Sequence, residues 1–110
     1  MQKIDIENIV SNCREFDVNE TLQFLRMHQA QFWSWGANGF TSFKSKALIF
    51  RVNGNHHKGR VYIVLNGADL FDVYLTSSQG NIKQTFTDIY IDELFDLLDQ
   101  KIEFIPQYTH

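Results

Sequence analysis

From Phe40 onward the sequence changes to a period of two, in which apolar and polar residues alternate, and this pattern predicts β-strands. The alternation runs over 48–52, 61–65 and 71–75, and a weaker form of it continues over 82–89. Because successive side chains of a strand point to opposite faces, a period of two predicts four strands, each with one apolar face.

The segments that join these strands are short and rich in turn-forming residues. They cover 53–59, 66–69 and 77–81. The second begins with Asn66-Gly67, a dipeptide that tolerates the positive φ angles of tight turns. Parallel strands need long crossover connections, so these short connections predict antiparallel neighbours in a meander.

Segments with a helical period precede and follow the predicted strands in the sequence. Near the N-terminus, five apolar residues fall on one helix face: Ile6, Ile9, Val10, Cys13 and Phe16. This stripe predicts a helix over 6–16. Asp17 and Glu20 have the spacing of a capping box and would open a second helix over about 18–32, whose apolar positions are less regular.

The C-terminal segment has the clearest helical pattern. Its apolar residues share one arc of a helix: Ile91, Leu94, Phe95, Leu98 and Ile102. Four carboxylates lie on a separate arc: Asp92, Asp96, Asp99 and Glu103. We expect Asp92 to be the N-cap and Pro106 to end the helix. The pattern predicts an amphipathic helix with its apolar side against the sheet.

Together these elements predict a single α+β globular domain over residues 1–110. We expect an antiparallel four-stranded meander sheet, with two N-terminal helices and one C-terminal helix packed on one face. The opposite face is mixed in character and would meet water or a partner. It carries Arg51, Tyr62, Val64, Asp72 and Tyr74.

Composition narrows the class of protein. With 44% hydrophobic and 21% charged residues, a chain of 110 residues can build a packed core and is not expected to be disordered. No apolar run approaches the roughly 20 residues that span a bilayer, and no secretory signal is recognised, so we expect a small soluble protein. Cys13 cannot form an internal disulfide by itself, which favours the reducing cytoplasm.

Charge is segregated along the chain. No Asp or Glu occurs between Glu20 and Asp69, and all 13 carboxylates lie in the flanks. The acid-free stretch carries six cations: Arg26, Lys44, Lys46, Arg51, Lys58 and Arg60. Such segregation indicates a surface for an anionic partner, unless the cations pair with carboxylates of neighbouring strands, as Arg51 would with Asp72.

The basic stretch offers a candidate nucleic-acid site. Cations and aromatic residues together on a sheet are typical of proteins that bind single strands. The candidate residues are Trp35, Lys44, Lys46, Lys58 and Arg60. In this interpretation Trp35 is the exposed tryptophan and Trp33 packs in the core.

Metal binding and catalysis have less support. Adjacent His56 and His57 could hold a divalent metal, but neighbouring strand residues point apart and a structural zinc site needs about four ligands. We therefore expect a polar hairpin tip without a metal.

No recognised catalytic motif is present, and Cys13 lies on the apolar stripe of the first predicted helix. We expect neither a cofactor nor enzymatic activity.

The separation of charge is the main indication of function, because it offers one positive and one negative docking region. We expect a non-enzymatic protein-interaction domain that regulates or inhibits a larger protein, or that self-associates. The interface candidates are Tyr62, Tyr74, Asp92, Asp96, Asp99 and Glu103. The alternative function is binding of single-stranded nucleic acid through the basic and aromatic residues.

Overall fold

The computed structural model describes residues 2–27, 29–54 and 56–103. Its helices are α1 (Ile6–Val10), α2 (Val18–Arg26), α3 (Gln29–Ser34) and α4 (Ile91–Ile102). Its strands are β1 (Asn38–Phe43), β2 (Ala47–Asn53), β3 (Lys58–Leu65), β4 (Phe71–Thr76) and β5 (Ile82–Ile89). The α+β class is confirmed. Pro106, expected to end the last helix, lies outside the described residues.

The strands form one antiparallel sheet in the order β1-β2-β3-β4-β5. The predicted meander is confirmed, but the prediction of four strands is wrong because β1 adds a fifth. Its apolar residues Phe40 and Phe43 are three positions apart, so β1 shows no period of two. An irregular register between Asn38 and Thr41 accounts for this spacing.

One face of the sheet carries the main core. The predicted apolar positions of β2, β3 and β4 pack there against α2, α3 and α4. In α4 the predicted stripe is buried at Leu94, Phe95, Leu98 and Ile102. Ile91, the first residue of the predicted stripe, is 42% exposed, and the burial of the other four confirms the helix phase that the sequence predicted.

The opposite face carries a second, smaller core under α1. Val10 packs with Ala47 and Val64, and Ile6 and Ile9 pack around them. Helix α1 therefore lies across the sheet from the other helices, and the prediction that all helices share one face is wrong. The reason is that this face of the sheet is itself partly apolar and needs cover.

Helix α1 is also shorter than the predicted helix over 6–16. After Val10 the backbone bonds to the end of the sheet: the Arg14 N–H donates to the Leu65 carbonyl at 2.8 Å, and the Phe16 N–H to the Ser45 carbonyl at 3.0 Å. This crossing takes the chain from one face to the other. Phe16 consequently packs against the main core.

The second predicted helix is divided into α2 and α3. Its predicted cap is confirmed, since the Asp17 carboxylate accepts from the Glu20 N–H at 2.9 Å. In α4, by contrast, the N-cap is Tyr90 and Asp92 lies in the first turn, so the predicted cap is wrong. A carboxylate in that turn still interacts favourably with the helix dipole. Each described helix is too short or too polar to cross a bilayer.

Candidate functional site

The two tryptophans occupy the opposite environments from those predicted. Trp35 is 0% exposed, whereas Trp33 is 75% exposed. The Trp35 Nε1–H donates to Asp99 Oδ1 at 2.9 Å, and its ring stacks on Phe95 at a centroid distance of 5.1 Å. Trp35 is therefore a core residue, and the prediction that it is the exposed tryptophan is wrong.

The candidate nucleic-acid cations fall into two groups. Lys44 and Lys46 lie in the turn between β1 and β2, whereas Lys58 and Arg60 lie at the start of β3. Strand β2 separates these ends by roughly 20 Å, at about 3.3 Å per residue. The four side chains therefore do not form one continuous basic patch.

The sequence suggested an ion pair between Arg51 and Asp72, and the structure does not contain this pair. In the sheet Arg51 lies opposite Arg60, while Asp72 lies opposite Val64. The basic residues of β2 and β3 are thus brought together rather than neutralised by β4.

The two tyrosines proposed as interface residues are covered rather than open. Tyr62 is 4% exposed, and Tyr74 is half-buried against the small core under α1. Burial, followed by the charge of Asp72, raises the pKa of the Tyr74 hydroxyl above its usual value. Neither side chain offers the broad exposed surface that a docking residue needs.

The four acids of the last helix also differ from one another. Asp92 and Asp96 are exposed, but Asp99 and Glu103 are half-buried. Asp99 is the acceptor for the Trp35 indole. Asp92 and Asp96 are therefore the candidates from this helix that face solvent.

The histidine and cysteine side chains lie in different environments. His57 is buried and its ring Nε2 hydrogen bonds to the Arg60 carbonyl at 3.2 Å, whereas His56 is exposed. Within the described residues, no group of three or more His, Cys, Asp or Glu side chains is arranged to hold a metal ion. Burial raises the pKa of the Cys13 thiol, which donates to the Ile9 carbonyl at 3.2 Å.

An apolar groove lies between α2 and the start of α4. It encloses about 350 Å³, and its apolar lining comes from Phe24, Met27 and Ile91. Met27 is 76% exposed and Ile91 is 42% exposed. We call this feature the docking groove.

Acidic residues lie in the docking groove and beside it. Glu20 lines it directly, and Asp92 and Glu93 follow Ile91 in the first turn of α4. Glu93 and Asp96 also line a neighbouring cleft of about 540 Å³ along α4. The helix side of the molecule therefore combines exposed apolar residues with negative charge.

A further cleft adjoins the docking groove. It encloses about 350 Å³ between Arg26, Trp33 and Phe40, among others. Arg26 precedes Met27 directly, but its guanidinium lies over the Phe40 ring, 5.2 Å from the centroid. This contact directs the positive charge toward the second cleft and leaves the docking groove acidic.

The sequence pattern did not identify Met27 and Ile91 as surface residues. A signal was present in the irregular spacing of apolar residues in the second predicted helix. Leu25 is buried in the core and Phe24 is half-buried against it, whereas Met27 lies outside this stripe and is exposed.

No protein-family model matches the chain, and no curated protein or solved structure matches it significantly.

Proposed function

We propose that the protein is a non-enzymatic protein-interaction domain whose docking groove binds a partner segment with apolar anchors flanked by basic residues. The observation that carries the proposal is the exposure of Met27 and Ile91 inside a groove with an acidic rim. A lone cysteine also favours a cytoplasmic, reducing location.

The chemistry of the groove supports this choice of partner. Methionine adapts its shape to apolar surfaces, and burial of apolar area drives most protein association. Glu20, Asp92 and Glu93 would attract Lys or Arg residues beside the apolar anchors. A small domain that covers such a segment would regulate or inhibit the larger protein that carries it.

The charge of the groove favours a different protein over a second copy of this chain. A symmetric dimer places the same patch of both copies face to face. Here that arrangement would bring Glu20, Asp92 and Glu93 against their own equivalents. Like charges across an interface are unfavourable, so we propose a basic partner in preference to self-association through this groove.

The experiment is affinity capture from cells that express the protein, with a matched pair of charge variants. The baits are the wild type, the double variant Met27→Lys and Ile91→Lys, and the control Asn12→Lys. Asn12 is exposed beyond the end of α1, across the sheet from the groove. Circular dichroism checks that all three baits are folded.

We expect one protein to be retained by the wild type and by Asn12→Lys, and at least about tenfold less by the double variant, because each loss of about 1.4 kcal/mol is tenfold. High salt should release it, since rim charges are screened. Equal retention by all baits, or retention by none, contradicts the proposal.

The nucleic-acid alternative stays a prediction with weaker support. Because Trp35 is buried, it is not available to stack on a base. Because Lys44 and Lys46 are separated from Lys58 and Arg60, these cations do not form a continuous basic surface for a phosphate backbone. Electrophoretic mobility with a single-stranded oligonucleotide tests it directly.

A further inference from the structure

Arg51 and Arg60 lie directly opposite each other on β2 and β3. Both side chains therefore project from the same sheet face, the one that α1 partly covers. Like charges directly opposite each other destabilise a sheet, so an anion bound between them would relieve a repulsion. Lys58 lies two residues before Arg60 and shares its face, which increases the local positive potential.

Neutral groups orient both guanidiniums. Arg51 Nε donates to Asn38 Oδ1 at 3.3 Å, and Arg60 Nη1 donates to the Tyr62 hydroxyl at 3.3 Å. Among the residues that the structure describes, neither guanidinium forms an ion pair with a carboxylate. Within the described part of the chain, no further hydrogen bond occupies their other N–H donors, and the planar fork of a guanidinium matches the oxygens of a phosphate group.

The two arginines line a cleft beside α1. It encloses about 430 Å³, and Ile6, Thr41 and Ile49 form part of its walls. Sites for small molecules enclose roughly 300–1,000 Å³ and combine apolar walls with a few polar groups. The volume of the cleft lies within this range, and its lining combines apolar side chains with two arginines.

Gly39 allows the Arg51 guanidinium to lie against β1. Its φ angle is +67°, and a Cβ atom at this position would be 2.9 Å from Arg51 Nη2. Another residue would displace the guanidinium and would strain the backbone. The backbone at this position is thus matched to the placement of Arg51 in the cleft.

We propose that this arginine cleft, formed by Arg51, Arg60 and Tyr62, binds the phosphate group of a small phosphorylated molecule. The guanidiniums bind the phosphate oxygens, and the Tyr62 hydroxyl donates its hydrogen to one of them while it accepts from Arg60. Ile6 and Ile49 contact the rest of the molecule. The cleft lies across the sheet from the docking groove and does not depend on the proposed function.

The test is isothermal titration calorimetry at low salt with adenosine 5′-monophosphate as the probe and adenosine as its matched control. We expect the nucleotide to bind and adenosine not to bind. Arg51→Gln and Arg60→Gln should each weaken nucleotide binding at least about tenfold, because each removes charge-assisted hydrogen bonds. Arg26→Gln, which removes a cation beside Phe40 in the main-core region, should have no effect.

The melting temperature provides a second measurement, which also shows whether a variant that binds no nucleotide is folded. The nucleotide should raise the melting temperature of the wild type and of Arg26→Gln, but not that of Arg51→Gln or Arg60→Gln. Inorganic phosphate as a competitor shows whether the phosphate alone is recognised. Equal binding of nucleotide and adenosine, or an equal loss in Arg26→Gln, overturns the proposal. Tight binding of an oligothymidylate without nucleotide binding overturns it in favour of a nucleic-acid surface.

Discussion

At the scale of single residues, Trp33 and Trp35 show what a pattern of residue types cannot decide. Both follow an amphipathic segment, and they differ by two positions, which on a helix is a rotation of about 200°. Only the path of the chain after α3 determines which indole meets Asp99 and Phe95. The sequence predicted one tryptophan in the core and one at the surface, but it assigned the two indoles the wrong way round.

This assignment gives a matched pair of variants. Trp35→Phe removes the hydrogen bond to the Asp99 carboxylate and should lower the free energy of unfolding by about 1.5–3 kcal/mol. Trp33→Phe makes the same chemical change at an exposed site and should alter it by less than about 0.5 kcal/mol. Urea denaturation measures both values. A larger loss of unfolding free energy in Trp33→Phe than in Trp35→Phe would contradict the positions of the two indoles.

A second prediction at this scale concerns His57. Burial lowers the pKa of its imidazole below the ordinary value of 6.5. The unfolded chain therefore binds a proton before the folded protein does, and the free energy of unfolding falls as the pH drops below about 6.5. Above that pH both states are neutral at this ring, and the contribution is constant.

Unfolding measurements at pH 7.5 and pH 5.5 test this expectation. His57→Gln keeps a side-chain donor for the Arg60 carbonyl but does not titrate, so its loss of stability over this range should be smaller than that of the wild type. His56→Gln, at the exposed neighbouring position, is the control and should behave like the wild type. An unchanged pH dependence in His57→Gln would rule out the assigned role.

At the scale of elements, the parts with a strong local period were predicted and the others were not. Strands β2 and β4 and helix α4 were recognised because one face of each is more buried than the other, which gives a period of two or 3.6. Strand β3 is buried on both faces over 61–64, and β5, which had the weaker pattern, has only half-buried and exposed positions. Strand β1 was missed because Phe40 and Phe43 are three positions apart, which does not fit a period of two. The position of α1 on the opposite face of the sheet depends on the backbone hydrogen bonds that Arg14 and Phe16 donate. No local sequence pattern predicts these long-range hydrogen bonds.

The helix phase of α4 gives a prediction at this scale. Leu98 is fully buried, and its replacement by Ala should cost about 2–5 kcal/mol, since it removes contacts and leaves a cavity. Asp96→Ala, on the exposed side of the same helix, should change stability by less than about 0.5 kcal/mol. Thermal unfolding of the two variants compares them. The reverse order of effects would contradict the orientation of α4.

At the scale of the whole molecule, the sheet separates two surfaces of opposite character. The side of α2 and α4 carries the docking groove and its acidic rim, and the side of α1 carries the arginine cleft. The sequence showed that charge is segregated, and it identified Asp92 and Asp96 as exposed candidates. It could not show that Arg51 faces Arg60, because that depends on the register of two strands.

The most direct test of the proposed function is photo-cross-linking in cells that express the protein. A photoreactive amino acid replaces Met27 in one variant and Asn12, across the sheet, in the other. The account predicts that position 27 cross-links to one segment of a partner protein that combines apolar and basic residues, and that position 12 does not. Cross-linking of that segment from position 12, or the absence of any specific product from position 27, would contradict it.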